Sequence, residues 1–430
     1  MSYVIIGIMI IISVMLHYIS KGYLKDGYKL LNPINILLII WNVALVFHLY
    51  LFGSSNESFT VYIIVGISLI GCCIAFLAGT NVNVVINHKY NYNRGDYFTY
   101  DQRLLRKNLR FFTLCQMVNV FMSLLTMYRL TGGRLMLLVS NATYIRNMYL
   151  ARNEGLAVNI VNVIISIHCL LGYVALGIYC AKKFNKWKLY LFVWTSLVLG
   201  GALITMSKMT FFIYIIIVVT AFVNASGSIK VQSKVIKKVL PPVVGILLLL
   251  LVLIGMQRNY QTGGETMLKF TLDRAVFYFT SPIEALSLAI KQYPSEWGIV
   301  KNTFTLVYKF FARVGVLQNV SITNHLFTIE TSYGSTNVYS WLWEFYQDLS
   351  YIGMIIYPMI FSLFAGLVYS KGETRFGRAS ANAFVAALFA MSFYGLLWTQ
   401  GTYFYALIYA YIYDSLFLKR LYINEGKLLS

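Results

Sequence analysis

The chain is short of charge, and above all of negative charge. Only 12% of its 430 residues are charged, and Asp and Glu together number 15. Soluble domains carry about twice that charged fraction, so a water-soluble globule is excluded. Cysteine is sparse and badly placed for crosslinking. Cys72, Cys73, Cys115, Cys169 and Cys180 all fall inside apolar runs, so none can staple a loop, and no spaced CxxC pair exists for zinc. His17, His48, His88, His168 and His325 show no HExxH or other ligand spacing. P-loop, dinucleotide-binding and nucleophile-elbow patterns are missing, and Gly132-Gly133 and Gly263-Gly264 read as hinges. ATP hydrolysis and redox chemistry are therefore not built into the chain, and no cofactor is implied. Ionisable residues are nearly absent from the middle of the apolar runs, where ion-coupled transporters place them. There is no internal repeat and no low-complexity tract.

What is present is apolar and aromatic: 59% hydrophobic residues and 34 Tyr. A membrane-spanning helix needs about 20 mainly apolar residues. Eleven such runs are legible, near Tyr3–Ile19, Pro33–Gly53, Thr60–Thr80, Phe111–Tyr128, Ala157–Ala181, Leu189–Met206, Met209–Asn224, Val239–Met256, Leu349–Tyr369, Ala379–Trp398 and Tyr403–Leu418. They are continuous rather than alternating, which predicts helices, not a barrel. The first lacks a small-residue cleavage site and reads as a retained span. The expectation is an all-α polytopic integral membrane protein of about eleven transmembrane helices, residues 1–430 forming one membrane domain.

The 35 Lys and Arg leave a formal charge of +20. In a membrane protein that surplus reports topology, not nucleic acid. One set of alternate connections, around Lys21–Lys29, Lys89–Arg110, Lys182–Lys188, Lys230–Lys238, Lys371–Arg378 and the tail from Lys419, holds about 23 of them. The positive-inside rule puts that set in the cytoplasm, the N-terminus outside and the C-terminus inside. Two of the outward loops stand out. The smaller, 129–156, carries Arg129, Arg134, Arg146 and Arg152; the larger, 257–341, is the one large extracytoplasmic loop. Within it, Thr266–Ile290 and Val300–Leu317 read as short helices along the outer face, broken at Pro282, Pro294 and Gly298.

The remaining charges sit at outward span ends, at the depth of a lipid headgroup. Lys208 lies in a tight turn between two spans. Arg258 closes a span, and is either a headgroup anchor or a ligand contact. Arg274 either pairs with Asp273 or faces a ligand; Arg313 is either a solvated residue or a ligand contact. His325 stands alone in the loop. Glu344 and Asp348, four apart and so on one helix face, either cap a helix N-terminus or do chemistry.

The stretch Thr336-Asn-Val-Tyr-Ser-Trp-Leu-Trp-Glu-Phe-Tyr-Gln-Asp-Leu-Ser-Tyr-Ile-Gly-Met-Ile-Ile-Tyr-Pro resembles the bacterial oligosaccharide repeat-unit polymerases, the O-antigen polymerases of the Wzy type. These show an Asn-Val-Tyr-Thr-like start, a Tyr-x-Asp-aromatic-Gly turn and a later Gly. Asn337, Val338 and Tyr339 match the start, with Ser340 for Thr; Asp348 and Gly353 match later positions, while Leu349-Ser350 replaces aromatic-Gly. Met206-Ser207-Lys208 is similar to the small-residue-then-basic turn, where many relatives carry Arg. The motifs cover about 60 residues.

The resemblance implies a C-type membrane glycosyltransferase fold and a metal-independent, multi-pass enzyme of the bacterial cytoplasmic (inner) membrane. The donor would be a growing glycan on undecaprenyl diphosphate and the acceptor a lipid-linked repeat unit. The product would be an O-antigen or capsule polysaccharide, with a chain-length regulator protein as a further partner beside the bilayer. On this reading Arg258, Arg274 and Lys208 clamp the diphosphate, because guanidinium forks pair with phosphate oxygens and stabilise the leaving group. Asp348 is the first candidate for a general base, with Glu344 and His325 in reserve. Arg313, Asn337 and Tyr339 are further substrate contacts, and Trp341, Trp343, Tyr339 and Tyr346 are either sugar platforms or membrane-belt residues. An O-antigen ligase-like enzyme shares donor and fold, and His325 keeps it open; a polysaccharide flippase or other transporter would show more spans and a charged central cavity.

Overall fold

The computed structural model describes residues 6–15, 32–52, 59–89, 98–134, 137, 142–151, 156–205, 207–226, 245, 267–298, 301–316, 329–331, 334–336, 338–369, 375–397, 401–417 and 422–424. Helices dominate: α1 (Ile6–Met15), α2 (Pro33–Phe52), α3 (Phe59–Lys89), α4 (Gln102–Leu130), α5 (Ala142–Ala151), α6 (Leu156–Ala181), α7 (Trp187–Ile204), α8 (Lys208–Ala225), α9 (Met267–Gln292), α10 (Thr305–Arg313), α11 (Leu342–Val368), α12 (Phe376–Ala390) and α13 (Gly401–Phe417). Five are long and apolar enough to cross a membrane, within Phe59–Asn83, Gln102–Leu130, Ile160–Ala181, Trp187–Ile204 and Leu342–Val368. The chain is a helical membrane protein. Ten of the expected apolar runs coincide with helices; all but one residue of the remaining run, Val239–Met256, lies outside the described residues.

Helix ends differ from the hydropathy pattern where local hydrogen bonds intervene. Helix α4 starts nine residues before its apolar run, because the Asp101 carboxylate accepts from the N–H groups of Arg103 (2.7 Å) and Leu104 (3.3 Å). Helix α12 stops at Ala390, short of the expected Trp398. There the Ser392 carbonyl takes the Trp341 N–H (2.7 Å), and its hydroxyl accepts from Trp41 Nε1 (2.8 Å). Helix α9 runs through Pro282, which therefore does not break it, and side chains from Ser281 to Ile290 are largely buried. This half of α9 is a core element, not an amphipathic surface helix. Four short strands also occur: β1 (Phe98–Tyr100) pairs antiparallel with β4 (Tyr422–Asn424), and β2 (Ile329–Thr331) with β3 (Gly334–Thr336).

Two compact units share the chain. The first comprises Met1–Arg94, Val276–Lys371 and Phe384–Phe404; the second comprises Gly95–Ala275, Gly372–Ala383 and Tyr405–Ser430. At the centre of the first, α3 and α11 touch backbone to backbone. A Cβ on Gly79 would strike the Leu363 carbonyl, and one on Gly366 the Phe76 carbonyl. In an apolar medium hydrophobicity does not drive helices together, so small residues that permit close van der Waals contact decide where they meet. Asn83 Nδ2 ties the ends of this pair by donating to the Tyr369 carbonyl (2.6 Å).

The second unit is organised around α6, whose residues Cys169–Cys180 are buried with Gly172 and Gly177 at the contacts. Gly172 admits the Trp194 ring of α7 and Phe112 of α4; Gly177 admits the Val218 carbonyl of α8. Tyr173 meets Trp194 and Tyr214 edge-on, with centroids 5.7 and 5.0 Å away. The outer faces of α4 and α7 expose Phe111, Leu114, Met117, Phe121 and Phe192, as lipid-facing helices do.

Gly366→Ala would force α3 and α11 apart and is expected to cost about 1–3 kcal/mol, read as a lower thermal midpoint in detergent. Gly200→Ala, whose new methyl meets nothing within 4 Å, is expected to leave that midpoint unchanged or slightly raised.

Candidate functional site

The motif region lies in the first unit, around the N-terminal half of α11. Ser340 braces the start of this helix, its hydroxyl accepting the Leu342 N–H (3.2 Å) and its carbonyl the Trp343 N–H (3.0 Å). Glu344 sits in the first turn with its carboxylate on its own backbone N–H. Two turns later the helix breaks. Leu349 (φ −137°, ψ 26°) and Ser350 (φ 53°, ψ −147°) leave helical geometry, and the helix resumes beyond them. Ser350 thus occupies a backbone region that strongly favours glycine. It stands where the resembled motif carries Gly. Gly353 allows the fold-back, since a Cβ there would strike the Phe345 carbonyl.

The break exposes carbonyls and turns a carboxylate toward a second segment. Asp348 is fully buried. Its Oδ1 accepts from the Asn302 backbone N–H (2.8 Å) and Asn302 Nδ2 (3.0 Å), and its Oδ2 from the Thr303 N–H (2.8 Å). The Gln347 carbonyl accepts the Glu296 N–H (3.1 Å), and Lys301 Nζ pairs with Glu296 Oε2 at 2.7 Å. The turn leading into α10 is therefore pinned to the break in α11. Asp348 caps that approaching segment rather than its own helix, and both of its oxygens are occupied. Glu344, one turn earlier, is buried with its carboxyl against the Leu396 backbone N–H.

Polar atoms are left over here. Asn302 Oδ1, Thr303 Oγ1 and Gln347 Nε2 are buried with no partner among the described residues, an arrangement that ordinarily calls for water or a ligand hydroxyl. Aromatic rings line the same stretch. Tyr339 stacks on Trp343 (5.4 Å, 29°) and Trp343 on Tyr346 (5.8 Å, 21°), with Tyr293 edge-on to Trp343 (6.5 Å). Burial, and secondarily the nearby Tyr293, push the Tyr339 phenol up to about 12, so it stays a neutral donor at any working pH. Trp341 belongs to the core, packed on Phe345, Phe361 and Phe389, and offers no face to a sugar.

Of the candidates named above, Asp348 and Glu344 lie close enough to interact, and Tyr339 stacks on Trp343 just before them. Arg313 ends α10 in the same unit; Lys208 opens α8, and Arg274 lies in α9 within the second unit. Arg258, His325 and Asn337 lie outside the described residues. Among the described residues no three His, Cys, Asp or Glu side chains converge as metal ligands would. Asn302, Thr303, Lys301 and Glu296 were not singled out by sequence. Polar residues just before a helix were a signal for a turn, but their partner is 46 positions away. No family model, curated protein or solved structure matches the chain.

Ser350→Gly removes an unfavourable side chain from a glycine-type backbone region and is expected to stabilise the protein by about 1 kcal/mol, raising its thermal midpoint. Asp348→Ala strips two buried backbone N–H groups and the Asn302 side-chain amide of their acceptor, each worth about 1–3 kcal/mol. Amide exchange at Asn302 and Thr303 is then expected to accelerate at least tenfold, while exchange in α6 stays as in the parent.

Proposed function

We propose that the chain is a polysaccharide polymerase of the Wzy type, with about eleven spans and the C-type glycosyltransferase fold. In this reading it works at the outer face of the bacterial cytoplasmic membrane, with its N-terminus outside and C-terminus inside. It transfers a growing glycan from undecaprenyl diphosphate to a sugar hydroxyl of a lipid-linked repeat unit. The observation that carries the proposal is the meeting of motif residue Asp348 with Asn302 and Thr303, beside buried polar atoms able to receive hydroxyl groups. The positive-φ backbone at Ser350, where the resembled motif has Gly, supports it further.

The chemistry is a displacement at the sugar's reducing-end carbon. The acceptor oxygen forms the new bond to that carbon, and the bond from it to the diphosphate oxygen breaks. The electron pair leaves with undecaprenyl diphosphate, stabilised by the cations Arg258, Arg274 and Lys208. Asp348, with both oxygens already engaged, is a positioning residue: it holds Asn302 and Thr303 where they orient the acceptor. The hydroxyl proton then passes to Glu344 on the same helix face, with His325 as the other candidate.

Purified protein given lipid-linked repeat units should build a ladder of longer lipid-linked glycans. Glu344→Gln is expected to slow the ladder about 100-fold or more, and Arg258→Ala or Arg274→Ala similarly. If both arginine variants leave the ladder intact, the clamp is misassigned. If the parent releases glycan to another acceptor without lengthening it, the enzyme is a ligase.

A further inference from the structure

The second unit carries a cationic surface that the transfer reaction does not use. We propose that it binds the phosphate of an anionic phospholipid headgroup. Arg103, Arg106, Lys107 and Arg110 recur at intervals of three and four, so they share one face of α4. Beside them lies the α6–α7 turn, with Lys183 (φ 49°) and Lys186 (φ 64°) in left-handed backbone conformations. Among the described residues none of these six has a carboxylate partner.

A solvated topological cluster needs only the charges, yet here the guanidinium groups are braced. Arg106 Nε donates to the Tyr179 hydroxyl (3.1 Å), which itself donates to the Asn185 carbonyl (2.7 Å). Gln102, with its amide oxygen turned inward, accepts from Arg106 Nη2 (2.8 Å) and from the Asn185 N–H (3.1 Å). Arg110 Nε donates to the Tyr190 hydroxyl (3.4 Å), and the Tyr179 and Tyr190 rings lie 5.3 Å apart. Bracing through Nε leaves other guanidinium N–H groups for an anion and lowers the ordering cost of holding it.

The source of the phosphate follows from what adjoins the surface. Within one turn of the basic face, Phe111, Leu114, Leu189 and Phe192 are exposed, Phe192 by 71%. Cations followed at once by bare apolar side chains match the boundary between headgroup and acyl chain. A soluble phosphate would have no use for that apolar collar.

The test is lipid retention. Protein purified through mixed micelles of phosphatidylglycerol and phosphatidylcholine would be scored by native mass spectrometry for bound lipid. The parent should retain phosphatidylglycerol preferentially, and Arg106→Gln/Arg110→Gln should lose about fivefold per charge removed. Lys309→Gln, on the exposed face of α10, should retain as the parent does. Tyr179→Phe keeps every charge but loosens Arg106; it should weaken retention with little change in thermal midpoint. Retention unchanged in the double arginine variant overturns the site. Retention unchanged in Tyr179→Phe overturns the bracing and leaves diffuse charge attraction, while equal displacement by millimolar inorganic phosphate identifies a free-anion site instead.

Discussion

A helix broken where water is scarce must have its freed carbonyls and its reversed backbone satisfied by the rest of the protein, and the break at Leu349–Ser350 places that demand on the whole first unit. Gln347's carbonyl is met by Glu296, and Asp348 reaches across to Asn302 and Thr303. Gly353 lets the resumed helix pass the Phe345 carbonyl, and the resumed half is the one that packs through Gly366 against α3. The segment before α10 is thus held by polar bonds at one end of α11, while glycine contacts hold the helix itself.

Polar groups are concentrated around the end of the segment that meets α11. A structural cap needs one or two N–H bonds, but around Asp348 further buried atoms on Asn302, Thr303 and Gln347 remain open. Buried polar groups of this sort are costly unless water or a ligand pairs with them, which is the ground on which a hydroxyl-bearing substrate is proposed here. The second unit also carries a network of paired polar side chains. Its tyrosines fix arginine side chains at one end of α4 and α6, and its core is otherwise aromatic and small-residue packing around α6.

Much of the candidate site was legible, though with altered roles. Asp348 and Glu344 stand out because acidic residues are few and these two share a helix face next to an apolar run. Their position left open whether they cap their own helix or do chemistry; Glu344 does sit in the first turn, beside the Ser340 cap, while Asp348 grips another segment. Trp341 and Trp343 look alike in sequence as amphipathic aromatics and both are buried, one against Phe361 and Phe389 and the other between Tyr339 and Tyr346. Nothing local separates them, since the difference is set by Phe361 and Phe389 arriving from later segments. Pro282 misled for a related reason: a proline removes one N–H from a helix, and the buried setting of α9 holds the remaining turns together.

By itself the sequence determined the helical membrane character, the positions of most helices, and the gathering of basic residues into particular connections. These follow from composition and from the continuity of apolar runs, which are properties of neighbouring residues. Tertiary structure alone decided which carboxylate grips which turn, which glycines face a carbonyl, and which arginines are braced by tyrosine. Each of those is a contact between residues tens of positions apart, and local hydropathy carries no record of its partner.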